Sequence, residues 1–183
     1  MTTTVLVAYA TERGSTAEIA ERVAVRIADA GFSSTTRDVE RDPRPEAFDA
    51  VVLGSAVHGA ALLPSALIFV REHEKALRTR PLWLFTVGLQ PSAPHQHRAF
   101  RRLIASSPPR EVPELEATLH PMGYRAFAGV LRAHETRTLQ RWMFRLLGGE
   151  FGDFRDWPQI DRWADGIAAR LATGALTGGG HGG

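Results

Sequence analysis

The sequence predicts an open α/β fold, a five-stranded parallel sheet in the order 2-1-3-4-5 with helices on both faces. Three observations predict it. Short apolar, β-branched runs occur at residues 4–10, 50–53 and 82–87, as expected of strands buried on both faces. Amphipathic helical patterns separate them, over about residues 16–30 and 64–78. Three of the strands end in small, hydroxyl-bearing or glycine-rich turns, at residues 11–16, 54–59 and 86–91. Ligands of open parallel sheets bind beyond such strand ends, and the order 2-1-3-4-5 makes these three neighbours.

In chain order, residues 4–10 form the first, buried strand. The helix that follows has Ser15 and Glu18 at capping-box spacing. Ile19, Ala20, Val23, Ala24 and Ile27 share one face, and Gly31 ends it. Residues 34–39 are a polar second strand near a sheet edge. Asp42-Pro43-Arg44-Pro45 is a breaker, so the helix expected before Ala50 is missing or reduced to a turn. Phe48 and residues 50–53 lead to a third strand that ends at Gly54-Ser55, and residues 56–61 form a loop. Pro64 opens a helix to Arg78 with Leu67, Val70 and Leu77 inward. A fourth strand, 82–87, stops at Gly88.

Residues 96–106 read as a short basic helix, and Pro108, Pro109 and Pro113 break the chain. Residues 125–131 form the fifth strand. Residues 136–147 place Leu139, Trp142, Met143, Leu146 and Leu147 on one helical face, with Arg137, Arg141 and Arg145 as a stripe at spacing four. The last helix, 158–171, gathers Ile160, Trp163, Ala164, Ile167, Ala168 and Leu171, with Asp156 or Trp157 as its cap. One domain therefore spans residues 1–173, and the glycine-rich residues 174–183 form a flexible tail.

Composition removes several function classes. The 183 residues contain no cysteine, which excludes disulfides, thiol catalysis and thiolate metal sites. The net charge of +2 is too small for a nucleic-acid footprint, although the pI is about 9.6. Among the basic residues Lys75 is the single lysine. No run reaches the roughly 18 apolar residues of a membrane span, and the N-terminus does not read as a signal peptide. A cytoplasmic location is the expectation. No paired-carboxylate, zinc or nucleophile-elbow motif is present.

The first turn, Thr11-Glu12-Arg13-Gly14-Ser15-Thr16, runs into a helix start, where unpaired backbone N–H groups and the helix dipole favour an anion. It lacks the three spaced glycines of the dinucleotide loop and the Gly-Lys-Ser/Thr of a Walker loop. One glycine and several hydroxyls suit a single terminal phosphate, and so a mononucleotide such as FMN.

These residues carry a resemblance. The first strand with Thr11-Glu12-Arg13-Gly14-Ser15-Thr16-Ala17-Glu18-Ile19-Ala20 resembles the FMN phosphate loop of flavodoxins. Val52-Leu53-Gly54-Ser55-Ala56-Val57-His58-Gly59 is similar to the second flavin loop of the flavodoxin-domain group that includes menaquinone-dependent protoporphyrinogen oxidase. Gly148-Gly149-Glu150, Asp153, Asp156-Trp157 and the last helix are similar to that group's C-terminal region. The resemblance implies a flavodoxin-like three-layer sandwich that binds FMN non-covalently.

Carried over residue by residue, it implies that Thr11, Arg13, Gly14, Ser15 and Thr16, with Glu12 in the same loop, hold the phosphate. Ser55, Ala56, Val57, His58 and Gly59 would flank one side of the flavin ring. Thr86, Val87, Gly88 and Leu89 would meet its other edge through backbone groups. His58 would be the catalytic side chain, as a proton or hydrogen-bond donor. The function implied is an FMN-dependent oxidoreductase acting on a porphyrinogen or similar substrate, with a quinone as acceptor or a redox protein as partner. An electron-transfer flavodoxin or binding module, and a protein using a deazaflavin, stay open beside it.

Two departures favour an enzyme over a carrier. Neither ring loop has Trp or Tyr, leaving His58 as the flat side chain on offer. The chain also lacks the acidic field of carrier flavodoxins. His95 and His97 supply too few ligands for a metal and suit a substrate mouth. Arg98, Arg101 and Arg102 read as a solvated face, or as a contact for an anionic substrate. The segment that opens on Arg137 and closes on Leu147 reads as a surface helix packed on the sheet. Peripheral contact with the inner face of a membrane is its second reading.

Overall fold

In a computed structural model the structure describes residues 2–88, 108–131 and 152–178. Leu89, His95, His97, the basic segment 96–106, the arginine-striped segment 136–147 and Gly148-Gly149-Glu150 lie outside the described residues.

Strands β1 (Thr4–Ala10), β2 (Ser33–Asp38), β3 (Ala50–His58), β5 (Leu82–Gly88) and β6 (Gly123–Ala128) pair in parallel in the order β2-β1-β3-β5-β6. This is the predicted five-strand order, with the two-residue β4 (Ala61–Leu62) added antiparallel to the end of β3. The described α-helices are α1 (Ser15–Asp29), α2 (Pro64–Arg78), α3 (Val112–Leu119) and α4 (Trp157–Gly178), and β7 (Val130–Leu131) and β8 (Gly152–Asp153) form a two-strand ribbon.

Strand periodicity sorts the core into two layers. Val5, Val7, Val52, Trp83, Phe85, Val87 and Phe127 pack against Ile19, Val23 and Ile27 of α1 and Ile160, Ala164 and Ile167 of α4. Leu6, Ala8, Val51, Leu53, Leu82 and Leu84 pack against Ala66, Phe69, Val70 and Leu77 of α2 and Leu119 of α3. Burial on both faces is why these strands read as unbroken apolar runs. β2 lies at the sheet edge and is polar, as expected.

α1 and α4 lie side by side. Arg22 pairs with Asp161 and Arg26 with Asp165, both at 2.7 Å. The hydrogen bond from Arg22 holds the Asp161 carboxyl below the usual carboxylate range. Two short 3-10 turns, Val39–Arg41 and Pro45–Ala47, replace the helix missing between β2 and β3. Arg80 ties this stretch down, donating to the carbonyls of Phe48 at 2.8 Å and Glu46 at 3.0 Å.

The structure corrects several expectations. β3 does not stop at Gly54-Ser55 but runs to His58 and turns back through Gly59 and Ala60, at φ 58° and 63°. Positive φ at both central residues is the turn that matches strand twist, and burial of Leu62 anchors it. The Ser15–Glu18 capping box does not form. Gly14, at φ 88°, is the N-cap, Ser15 is already helical, and no side chain caps the helix. The Glu18 carboxylate pairs with Arg155 instead.

On α2, Ala66 and Phe69 are buried with Val70 and Leu77, whereas Leu67 is only half-buried. The helix also kinks at His73, with φ −113° and ψ 16°. Pro113 does not break the chain but lies in the first turn of α3, where its missing N–H costs nothing. The fifth strand begins two residues earlier, at Gly123, and Gly129 separates it from β7. Asp156 is the cap of α4, accepting from the Gln159 N–H at 2.9 Å. α4 continues past Gly174 to Gly178, because one glycine costs a helix only about 1 kcal/mol. Among the described residues no helix is long and apolar enough to cross a membrane.

Candidate active site

A cleft opens beyond the C-terminal ends of β1, β3, β5 and β6, the usual ligand position of an open parallel sheet. It is lined by Glu12, Arg13, Ser15, Ala56, Val57, His58, Gly59, Val87, Gly88, Ala128, Gly129, Val130 and Phe154. Its volume of about 270 Å³ lies near the lower end of small-ligand clefts, roughly 300–1,000 Å³.

The first turn is shaped from within. Thr11 Oγ1 accepts the Gly14 N–H at 3.0 Å, and Gly14 carries the left-handed backbone that swings the chain into α1. Glu18 N–H bonds the Gly14 carbonyl at 3.1 Å. The N–H groups of Ser15, Thr16 and Ala17 precede the helical ladder and have no acceptor within it. Thr16 is fully buried and, like Thr11 and Gly14, is not among the residues lining the cleft; among the described residues its hydroxyl has no hydrogen-bond partner. Native proteins seldom leave such a group unsatisfied, at a cost of about 1–3 kcal/mol. The turn therefore holds more donors than it uses internally, which fits a phosphate at this helix start.

Ser55 and Thr86 are not in the cleft. They are register partners on β3 and β5 and face the α2 layer, with Leu53 and Leu84. Ser55 Oγ accepts the Leu63 N–H at 3.1 Å and donates to the Ala56 carbonyl at 2.8 Å. It fastens the entry to α2. Ser55→Ala leaves the Leu63 N–H without a partner and lowers stability by about 1–3 kcal/mol, read as a lower urea midpoint at unchanged slope. Thr86 Oγ1 bonds the Tyr124 hydroxyl at 2.8 Å. Burial raises the Tyr124 pKa, and this hydrogen bond opposes the rise.

The cleft also has residues that sequence reasoning missed: Ala128, Gly129, Val130 and Phe154. At Gly129 an added Cβ would lie 3.0 Å from Val87 Cγ1 and 3.5 Å from Ser15 Oγ, so glycine lets this turn close on the first one. A glycine after an apolar strand was the available signal. Phe154 corrects the expectation that His58 is the only flat side chain at the site. Its N–H bonds the Gly129 carbonyl at 3.2 Å.

Arg155 anchors the segment beside Phe154. Its guanidinium binds Asp153, at 2.8 Å from Nε to Oδ1, reaches Glu18 on α1, and stacks 4.6 Å over the Trp157 ring. The Asp153 hydrogen bond leads in raising the arginine pKa further, keeping it charged. At the cleft mouth, His58 Nδ1 lies 3.2 Å from Glu12 Oε2.

The comparisons with known proteins agree with this fold. Residues 6–156 match the family model described as a flavodoxin domain. The chain belongs to that family. It is 26% identical to the protoporphyrinogen IX dehydrogenase [quinone] of Escherichia coli strain K12, an alignment covering 89% of this chain and 93% of the relative. A short-chain flavodoxin associated with a non-canonical PDU bacterial microcompartment superposes with TM-score 0.58 at 12% identity, over 92% of this chain and 98% of its own. A point mutant of the flavodoxin from Pseudomonas aeruginosa superposes with TM-score 0.54 at 14% identity, over 92% and 99%. These structures share the fold.

Proposed function

We propose that the cleft binds FMN and that the protein is an FMN-dependent oxidoreductase. The single observation that carries the reading is the start of α1, where Gly14 is left-handed, no side chain caps the helix, and the buried Thr16 hydroxyl has no partner among the described residues. A terminal phosphate satisfies these groups together. Bound FMN supplies two-electron redox chemistry that no side chain of this chain provides.

The chain's own residues divide the remaining work. Ser15 and Thr16 donate hydroxyls to the phosphate, beside the first N–H groups of α1. Arg13 lines the cleft and matches the charge of an anion. Ala56, Val57, Gly88 and Gly129 form low walls suited to a flat ring. A Cβ on Gly88 would lie only 3.1 Å from Val57 Cβ, so this glycine lets the second and third turns meet. Phe154 offers an aromatic surface and His58 a polar one.

The substrate reading is a porphyrinogen or similar reduced molecule, with a quinone as acceptor. It rests on the relative from Escherichia coli, whose name states that chemistry. The net charge of +2 gives no acidic field of the kind that serves a carrier of electrons to basic partners.

The absorbance spectrum of the purified protein, followed by mass identification of the released cofactor, tests the first part. A flavin spectrum with the mass of FMN is expected. A colourless protein that takes up no added FMN overturns the reading, and release of a deazaflavin replaces the cofactor. Oxidation of protoporphyrinogen with a soluble menaquinone analogue tests the second part. An FMN-loaded protein that turns over neither molecule is a carrier or binding module.

A further inference from the structure

The geometry assigns Glu12 as the positioning residue of His58, and its catalytic consequence rests on the FMN reading above. Glu12 stands in the turn suited to a phosphate, yet a carboxylate only accepts hydrogen bonds and repels a second anion. Its Oε2 lies instead 3.2 Å from His58 Nδ1. Sheet register makes the meeting. Ala10, the last residue of β1, pairs with Ser55 of β3, and β3 continues from there to His58. Two residues beyond Ala10 and three beyond Ser55 come these two side chains, and both line the cleft.

The pair is not there to hold the fold. The side chains are 69% and 48% exposed, and an exposed pair contributes only about 0–1 kcal/mol. What it decides is the ring. Glu12 can only accept, so the hydrogen sits on His58 Nδ1, and Nε2 keeps the lone pair of the neutral imidazole. The backbone beneath is already set, because His58 pairs with Ala61 across the hairpin through Gly59 and Ala60. Ring orientation is the freedom left, and the bond to Glu12 biases it. Nε2 then accepts a hydrogen bond from an N–H or O–H of the bound substrate. The class of molecule this suits carries such a donor where it is oxidised or reduced, as a reduced pyrrole or a quinol does.

Nitrogen-15 NMR of the His58 ring, recorded without cofactor, reads the tautomer directly. The Nδ1-protonated form is expected in the wild type and in Glu12→Gln, whose amide oxygen still accepts. The Nε2-protonated form, which free imidazole side chains prefer in water, is expected in Glu12→Ala. In the FMN-loaded protein, Glu12→Ala and His58→Gln should each lower kcat/KM by about three- to ten-fold, the loss of one hydrogen bond. The double variant should lose no more than the worse single one, Glu12→Gln should keep most of the rate, and Glu12→Ala should not weaken FMN binding.

A wild-type ring protonated on Nε2 overturns the assignment. So does Glu12→Ala with wild-type kcat/KM while His58→Gln is impaired, or Glu12→Ala with weakened FMN affinity. Failure to take up FMN overturns the cofactor reading alone, since the cofactor-free tautomer spectrum still decides whether Glu12 orients the ring.

Discussion

Thr16→Val raises the stability of the cofactor-free protein by about 1 kcal/mol and weakens FMN binding by about ten- to one-hundred-fold. The two signs have one origin. The side chain is fully buried and its hydroxyl finds no partner among the described residues. Valine keeps the branched shape and removes the unsatisfied oxygen, so the folded state loses a penalty. A bound phosphate would turn that same hydroxyl into a charge-assisted donor, worth about 1.5–3 kcal/mol and absent in the valine variant. Urea denaturation without cofactor and fluorescence titration with FMN measure the two halves. A variant that is less stable and binds FMN normally would show that Thr16 serves the core and that the phosphate lies elsewhere.

Gly54→Ala destabilises the protein by about 3 kcal/mol, the upper part of the range for overpacking a core. A Cβ at Gly54 would lie 2.1 Å from Phe85 Cζ and 2.4 Å from Cε1. The ring cannot swing away. Phe85 is 1% exposed and wedged against Phe127 and Trp163, with centroids 6.0 and 5.7 Å distant. The urea midpoint falls with an unchanged slope, because the same surface is exposed on unfolding. Phe85→Leu in the Gly54→Ala background makes room and recovers part of the loss. The two substitutions are therefore non-additive, as expected for residues in direct contact. Equal losses from Gly54→Ala with and without Phe85 would place the strain elsewhere.

Gly54 also shows how far local pattern reaches. A glycine before a serine reads as the end of a strand, and here it is the middle of one. The residue that demands it, Phe85, is 31 positions away and becomes a neighbour only through the β3–β5 register. Ser55 and Thr86 teach a related lesson. Proximity to a strand end placed them at the ring, but alternation along the strand puts them on the α2 face with Leu53 and Leu84. That signal was present in the sequence, since Val51, Leu53 and Ser55 share parity. Phe154 left no such signal. Its place at the cleft depends on the bond to Gly129, and its neighbour Arg155 reaches Glu18, 137 residues earlier.

Sequence alone settled what local physics controls. Apolar runs buried on two faces dictated a parallel sheet, helical periodicity dictated α1, α2 and the start of α4, and the hydroxyl-rich turn before α1 marked the candidate anion site. These follow from periodicity, propensity and the unpaired N–H groups of a helix start, all contained within a few turns of chain. Tertiary structure decided which of the nominated residues meet. It left Thr16 buried without a partner, turned Glu12 toward His58, withdrew Ser55 and Thr86 to the other layer, and brought Gly129 and Phe154 to the cleft. Such pairings depend on strand register and on contacts between distant segments, and no local pattern encodes the distance between residues that only the packed sheet makes neighbours.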